Sequence, residues 1–242
     1  MSDDFQARTL AGERTFRNLD VSDLDLSYED IAGLNLRGCT FRKVDFSAAM
    51  LEGLYAVDCT FVGCKFARAH LSESKFERCT FYEADAECDF SSADLRLTTF
   101  SDCDLRLAKL ENVRLFRANF EKTNATGANF YNAEIKGAIR LVECDFRMVD
   151  LRSADLKKCD LHKTNFEQAV LRDTNMSECD LTECNFAGAD VWYLQVKGAD
   201  LRGANLSSFN LREMDMSDTI IYKQQGEVLL QNAGITLVDK EV

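Results

Sequence analysis

The sequence repeats a five-residue unit, most regularly between Cys144 and Met216. In each unit a small residue precedes Asp or Asn, which precedes Leu or Phe; such units begin at Cys144, Val149, Ala154, Cys159, Thr164, Ala199 and Ala204. A period of five matches neither the 3.6 residues of a helical turn nor the alternation of a strand. It predicts a coil of square cross-section, in which five residues form one side and its corner.

The same unit extends upstream to Phe16, with two breaks of register. One is a step of four residues between the centres Ala86 and Phe90, and the other lies between Lys136 and Arg140. We interpret both as one-residue slips at corners, not as inserted loops. The predicted organisation is therefore an N-terminal segment or cap over residues 1–15, a repeat region over 16–221, and a C-terminal helix and strand over 222–242.

The spacing within a unit predicts which residues form the core. The large central residue and the small residue two positions before it share a parity, so both face inward on a short extended side. Four sides close a turn of twenty residues, and positions twenty apart stack about 4.8 Å apart. Phe61, Phe81 and Phe166 should then lie inside an all-β solenoid whose weak points are its two open ends.

The ten cysteines all occupy the small inward position of their units. Cys39, Cys59 and Cys79 are twenty residues apart and should stack as a ladder. No CxxC cluster is present, and the two histidines, His70 and His162, fall at outward positions, so neither a metal site nor a cofactor is predicted. The simplest interpretation is a set of reduced thiols that serve as small hydrophobic side chains.

The charge balance restricts the choice of partner. The chain has 29 basic and 41 acidic residues, a formal net charge of −12. Direct binding to nucleic acid or to an anionic membrane requires a cationic surface and is not expected. No apolar run approaches the length of a membrane span, and the acidic N-terminus lacks the features of a secretory signal. We therefore expect a soluble, cytoplasmic protein.

Outward acidic residues form columns when the chain is wound at twenty residues per turn. The candidate partner-binding surface consists of Asp25, Asp45, Asp85, Asp160, Asp180 and Asp200. A rod that carries regularly spaced carboxylates can present a potential similar to that of DNA phosphates to a basic cleft. Alternatively, each Asp or Asn bonds to the neighbouring backbone at a corner, as in an Asx turn. One column is instead basic, with Arg152, Arg172 and Arg212.

Catalytic motifs are not found. The sequence has no glycine-rich phosphate loop, no G-x-S-x-G element, and no histidine with a carboxylate at motif spacing. We therefore do not expect an enzyme.

The repeat ends near Ile221, and the following segment predicts a short amphipathic helix. Gly234 would end that helix in a left-handed conformation, and Ile235 to Val238 would form a strand. The segment could be a lid on the last coil, a dimer contact across a twofold axis, or both. The candidate dimer residues are Tyr222, Val228, Leu229, Leu230, Ile235 and Leu237.

The A-(D/N)-(L/F)-x-x unit resembles that of the pentapeptide-repeat proteins, which form a right-handed quadrilateral β-helix. The tail, with Tyr222, Gln225, Leu229-Leu230 and Gly234-Ile235, is similar to that of the quinolone-resistance (Qnr-type) group, as are Trp192 and Ser207-Ser208-Phe209. This second resemblance implies a homodimer joined at its C-terminal ends that binds DNA gyrase or topoisomerase IV and modulates inhibition by quinolones. Protection in that group depends on projecting loops, for which this sequence shows no room.

Two classes of function follow. The first is a DNA-mimicking protein that binds a type II topoisomerase and modulates its inhibition by quinolones or toxins. The alternative is a structural or regulatory scaffold with a different protein partner, which would have its charge spread evenly around the rod.

Overall fold

The computed structural model describes residues 2–84, 86–135, 139–212 and 214–238. It contains helices α1 Ser2–Leu10 and α2 Lys223–Asn232, and strands β1 Thr15–Arg17, β2 Asp20–Ser22, β3 Asn35–Arg37, β4 Thr40–Arg42, β5 Tyr55–Val57, β6 Thr60–Val62, β7 Lys75–Glu77, β8 Thr99–Ser101, β9 Asn119–Glu121 and β10 Arg140–Val142. No helix within these ranges is long and apolar enough to cross a bilayer.

The strands are parallel and stack along the axis of a four-sided solenoid. β1, β3, β5, β7, β8, β9 and β10 form one seven-stranded sheet, and β2, β4 and β6 form a second sheet. Thr15 pairs with Asn35, which pairs with Tyr55, a spacing of twenty residues. Single parallel bridges continue the ladder to Asp200 and Ile220. The predicted β-helix is confirmed.

Four faces can be defined by the residues that bridge successive turns. Face I contains the seven-stranded sheet and continues through Asp160, Asp180 and Asp200. Face II contains the three-stranded sheet and continues through Asn165, Asn185 and Asn205. Face III runs from Asp25 and Asp45 to Val170 and Asp190, and face IV runs from Asp30 and Met50 to Asn175 and Gln195. Asp25, Asp45, Asp160, Asp180 and Asp200, the described members of the candidate acidic surface, can each be placed on one of these faces.

The core is a set of phenylalanine stacks along the axis. Phe41, Phe61 and Phe81 lie one above another, with ring centroids 5.3 and 5.0 Å apart and nearly parallel planes. Phe61, Phe81 and Phe166 are buried, as the five-residue spacing predicts. Burial of such a side chain contributes about 1.5–3 kcal/mol before conformational entropy is subtracted.

The cysteines complete the interior. All ten are buried and unpaired as free thiols, which confirms their inward position. Burial raises the pKa of Cys144 to about 12 and that of Cys159 to about 11, so these thiols stay protonated at neutral pH. The Cys79 thiol donates to the carbonyl oxygen of Ala56, one turn away, at 3.4 Å. No group of three or more possible metal ligands occurs among the described residues.

The first break in the repeat is an insertion, and the prediction of a one-residue slip was wrong there. Lys75 pairs with Thr99 and Lys65 bridges Asp89, so this turn contains 24 residues instead of twenty. The four additional residues lie between Phe81 and Cys88, a segment that includes Asp85, outside the described residues. An insertion of four shifts a five-residue register in the same way as a deletion of one. The room for a small loop that we did not find in the sequence therefore exists here.

The second break is a one-residue slip. Asn119 pairs with Arg140, a spacing of 21, whereas Arg140 bridges Asp160 at the normal twenty. The slip falls between Ile135 and Ile139, a segment whose residues 136–138 lie outside the described ones.

Helix α1 covers the N-terminal end of the solenoid. Phe5 is fully buried, with its ring 4.7 Å from that of Phe16 and 5.5 Å from that of Phe41. The guanidinium of Arg8 lies over the outer side of the Phe16 ring at 5.0 Å and also binds Glu13. The open end of the core is thus closed by one inserted aromatic side chain.

Candidate functional site: the C-terminal cap and the acidic columns

Helix α2 begins and ends through specific hydrogen bonds. The Gln225 side chain accepts a bond from the Tyr222 N–H at 2.8 Å, which satisfies an N-terminal amide. Gly234 has a φ of +74°, and its N–H donates to Gln231 at 2.8 Å, while the Ile235 N–H donates to Leu230 at 2.9 Å. These two bonds form a Schellman motif. The predicted helix and its glycine C-cap are confirmed.

The strand predicted for Ile235 to Val238 is not formed. The segment is exposed and has no ladder of hydrogen bonds to the solenoid. A strand forms only where a neighbouring strand supplies those hydrogen bonds. Apolar, β-branched residues alone do not make a strand in such a place.

Two amide side chains of α2 form hydrogen bonds to the last turn of the solenoid. Gln225 donates to the carbonyl oxygens of Leu201 and Ala204, each at 2.8 Å. Asn232 donates to those of Ser207 and Phe209, at 3.3 and 3.2 Å. These carbonyls belong to the end of the ladder, where no further turn supplies donors. The helix therefore acts as the lid that the sequence suggested.

Part of the outer side of this lid is apolar. Among the six candidate dimer residues, Tyr222, Val228, Ile235 and Leu237 are exposed and Leu230 is half-buried. Leu229 is only 1% exposed and packs into the core of its own chain. Tyr222, Leu230 and Leu237 also line a cavity of about 440 Å³ on this surface. We call the five outer residues the end patch.

The acidic columns stack largely as expected, but in two separate places. Asp25 and Asp45 bridge on face III near the N-terminus, whereas Asp160, Asp180 and Asp200 bridge on face I near the C-terminus. In the first column Lys65 is followed by Asp89 and not by Asp85, because the insertion shifts the register. The candidate acidic residues do not form one continuous surface.

Each of these five aspartates accepts a hydrogen bond from the N–H two residues later, at distances of 2.9 to 3.4 Å; the donors are Ser27, Ser47, His162, Thr182 and Arg202. The bonds from Ser27 lower the pKa of Asp25. The Asx-turn interpretation is therefore confirmed for these residues. A structural role at the corner explains why an Asp or Asn stands there in so many units.

Many carboxylates are also neutralised by an arginine two residues further on. In Asp200-Leu-Arg202 the guanidinium binds the carboxylate at 2.6 Å, and the hydrogen bond from Arg202 lowers the pKa of Asp200. The same Asp-x-Arg pair occurs at Asp94, Asp104, Asp145 and Asp150. In addition, Asp160 binds Arg140, and Asp45 binds Lys65. Much of the outward acidity is therefore compensated locally.

A run of acids without ion-pair partners lies at the N-terminal end of the rod. Asp20, Asp23, Asp25 and Asp30 are exposed, and within the described ranges none has an ion-pair partner. They occupy three neighbouring faces of a single turn. This turn therefore carries unpaired carboxylates on three of its four sides.

Comparison with known proteins agrees with this architecture. The family model described as pentapeptide repeats matches in eight copies over residues 57–87, 86–112, 108–152, 139–168, 159–191 and 195–223. No curated protein sequence matches the chain.

Several solved structures have the same fold. Trypsin-treated QnrB1, a plasmid-mediated fluoroquinolone resistance protein, aligns with a TM-score of 0.73 at 21% identity over 93% of this chain and 100% of its own. Full-length QnrB1 gives 0.71 at 20% identity over 91% and 100%. HetL, a pentapeptide-repeat protein involved in regulation of heterocyst differentiation in the cyanobacterium Nostoc, gives 0.51 at 25% identity over 90% and 91%.

Proposed function

This chain belongs to the pentapeptide-repeat family, and we propose that it binds a type II topoisomerase, DNA gyrase or topoisomerase IV, and changes the response of that enzyme to quinolones or toxins. The observation that carries the proposal is the match of the solenoid to the whole length of QnrB1, a fluoroquinolone resistance protein. At 21% identity the match supports a shared shape, so the function is tested directly below.

The proposed mechanism is occupancy of a DNA-binding cleft without catalysis. A straight rod with a net charge of −12 can enter a basic groove that is shaped for a duplex. The exposed aspartates at positions 20, 23, 25 and 30 would contribute as a group, because they lie on one turn and no arginine neutralises them. The paired column at Asp160 and Asp200 would contribute less.

The proposal includes a homodimer joined through the end patch. Two apolar end patches that meet across a twofold axis would remove Tyr222, Val228 and Leu237 from water. The two rods would then extend in opposite directions and form one longer rod. Leu229 would stay inside its own chain and take no direct part in the contact.

Binding to the topoisomerase is expected at micromolar concentration or below, measured by pull-down with purified gyrase. A supercoiling assay with and without a fluoroquinolone then distinguishes protection from inhibition.

Replacement of all four aspartates 20, 23, 25 and 30 by asparagine is expected to weaken binding by about tenfold or more, since these charges would face the basic cleft. The matched control removes a neutral pair, Asp104→Asn with Arg106→Gln, and should leave binding unchanged. Absence of binding at micromolar concentration would refute the proposal.

The dimer is tested separately at the other end of the rod. Val228→Asp combined with Leu237→Asp is expected to give monomers in sedimentation velocity, because a charge placed in an apolar contact loses its hydration. Leu10→Asp is the control, since Leu10 is at least as exposed as Val228 and Leu237 but lies at the N-terminal end. A wild-type protein that sediments as a monomer, or a double variant that remains dimeric, would contradict this assignment.

A second function, a regulatory scaffold for a different protein, is favoured by the local pairing of acids with arginines. It is also consistent with the likeness to HetL, which is involved in the regulation of differentiation. This function predicts that gyrase neither binds the protein nor changes its sensitivity to drugs in its presence.

A further inference from the structure

On face III, the type of residue at one repeated outward position changes halfway along the rod. The residues that directly follow the central position are small or polar in the N-terminal half, namely Ser27, Ser47, Ala67, Ser91 and Glu111. In the C-terminal half they are Tyr131, Arg152, Arg172, Trp192 and Arg212. Backbone bonds such as that from Asp173 N–H to Trp192 keep successive turns in register. Neither the fold nor the core requires large residues at these outward positions.

The aromatic residues of the column are exposed to solvent. Trp192 is 50% exposed and the adjacent Tyr193 is 66% exposed, with their ring centroids 5.8 Å apart. Tyr131 is also exposed, and the guanidinium of Arg152 lies over its ring at 5.2 Å. We call Tyr131, Arg152, Arg172, Trp192, Tyr193 and Arg212 the aromatic–arginine stripe.

The arginines of the stripe are fixed in place but keep free donors. Asp150 binds Arg152 through Nε and Nη2, and Asp190 binds Arg172 through Nε. A guanidinium has five N–H groups, so Arg152 and Arg172 can each bind a second carboxylate. Arg212 has no ion-pair partner among the residues that the structure describes.

Two cavities flank the exposed aromatic pair. One of about 220 Å³ is lined by Asp190, Trp192, Ser208, Asn210 and Met214, among others. The other, of about 360 Å³, is lined by Ser177, Tyr193, Gln195, Lys197 and Asp215, among others. Each combines an aromatic wall with polar groups, as binding clefts for side chains do.

We propose that the aromatic–arginine stripe is a second interaction surface, which binds an extended acidic segment of a partner protein. Trp, Tyr and Arg are the residues that dominate the binding energy of protein interfaces. Carboxylates of the segment would bind Arg172 and Arg212, and an apolar side chain would enter the cavity beside Trp192. Four steps of about 4.8 Å from Tyr131 to Arg212 span about 19 Å, the length of about six extended residues.

This surface differs in chemistry from the one used under the proposed function. A basic DNA-binding cleft would meet the acids near the N-terminus, whereas the stripe offers guanidinium N–H groups and aromatic rings near the C-terminus. A nucleic acid is a poor candidate, because the rod as a whole carries −12 and would repel a polyanion. A short acidic peptide has a smaller charge and can lie along the stripe alone.

Trp192 is the sole tryptophan of the chain, so its fluorescence reports on the stripe directly. The probe is a labelled peptide of about eight residues in which Glu and Phe take turns at every second position, with Ser between them, so that both face the rod from one side of an extended chain. We expect saturable binding by anisotropy together with a change in Trp192 emission. Trp192→Ala and Arg172→Ala, each checked for intact folding by circular dichroism, are expected to weaken binding by about tenfold.

The matched controls carry the same chemistry outside the stripe. Arg106 binds Asp104 and lies 4.4 Å over the Tyr82 ring, and Tyr28 is an exposed aromatic residue near the N-terminus. Arg106→Ala and Tyr28→Ala should leave peptide binding unchanged. The proposal is overturned if the Glu–Phe peptide does not bind, if these controls lose as much affinity as the stripe variants, or if a Lys–Phe peptide or oligo-dT binds equally well or better.

Discussion

Replacing Phe81 by alanine is expected to lower the free energy of unfolding by about 3–5 kcal/mol. The Phe81 ring stacks on Phe61 at 5.0 Å and meets the edges of Phe76 and Phe90 at 5.2 and 5.4 Å. The backbone ladder fixes the turns above and below it, so the surrounding rings cannot move in to fill the cavity. Since a solenoid is stabilised only by neighbouring turns, the loss also weakens the coupling between its two halves.

Urea unfolding followed by circular dichroism measures this effect through the shift in the transition midpoint. Phe116→Ala is the matched control, since Phe116 stands outward and is 42% exposed, and it should change stability by less than about 0.5 kcal/mol. Equal effects of the two substitutions would show that Phe81 is not the axial core residue described above. A change in the slope of the transition would indicate that the two halves of the rod unfold separately.

The set of buried, inward-facing residues could be predicted from the sequence because few regular structures have a five-residue period. Once the large and small positions of one unit face inward, those of every other unit follow, and Phe166 and Cys184 are buried as that rule requires. The outward acidic columns near the C-terminus followed from the same winding. Only the register within each uninterrupted block was needed for these predictions.

The breaks between blocks were ambiguous for an arithmetic reason. A step of four and a step of nine give the same phase in a five-residue repeat, so the sequence alone does not distinguish a slip from the insertion after Phe81. The choice of the shorter step misplaced Ala86 as a central residue and Asp85 as a member of the acidic column. The register between Lys65 and Asp89 reveals the insertion.

Helix α1 was missed because its sequence shows no marked amphipathic pattern. One residue, Phe5, makes the contact that closes the core, and a single apolar residue gives no periodic signal. The pairing of acids with arginines, in contrast, was visible in the repeated Asp-Leu-Arg tripeptide, as at Asp200 and Arg202. Counting net charge without reading this local pattern overstated the exposed acidity of the rod.

The basic column was predicted from the spacing of Arg152, Arg172 and Arg212, but its aromatic part was not. Winding at twenty residues per turn puts Trp192 between Arg172 and Arg212, and Tyr131 before Arg152. From the sequence alone, Trp192 is only one of the residues that resemble the Qnr-type group. Its place on the same face explains why a large aromatic side chain can stay exposed beside the arginines.

The largest effect at the C-terminal end is expected for Gln225→Leu, which should detach helix α2 from the solenoid. The Gln225 amide group donates to Leu201 and Ala204 and accepts from the N–H groups of Gly203 and Tyr222. Leucine has a similar size but satisfies none of these four backbone groups. The two carbonyl groups are partly buried, and each left unpaired there costs about 1–3 kcal/mol, whereas the two N–H groups are exposed and can bind water. Undocking of α2, which returns the carbonyl groups to water, then has the lower free energy.

Hydrogen–deuterium exchange of residues 226–233 measures the undocking, and we expect their amides to exchange at close to the rate of a free peptide in the variant. Gln224→Leu is the matched control, because Gln224 is exposed and its side chain makes no hydrogen bond to any described residue. The variant should also expose Leu229 and disrupt the end patch, so the proposed dimer should be lost together with protection of α2 from exchange. A Gln225→Leu protein that keeps both would show that apolar packing of Leu229 holds the lid in place without the amide bonds.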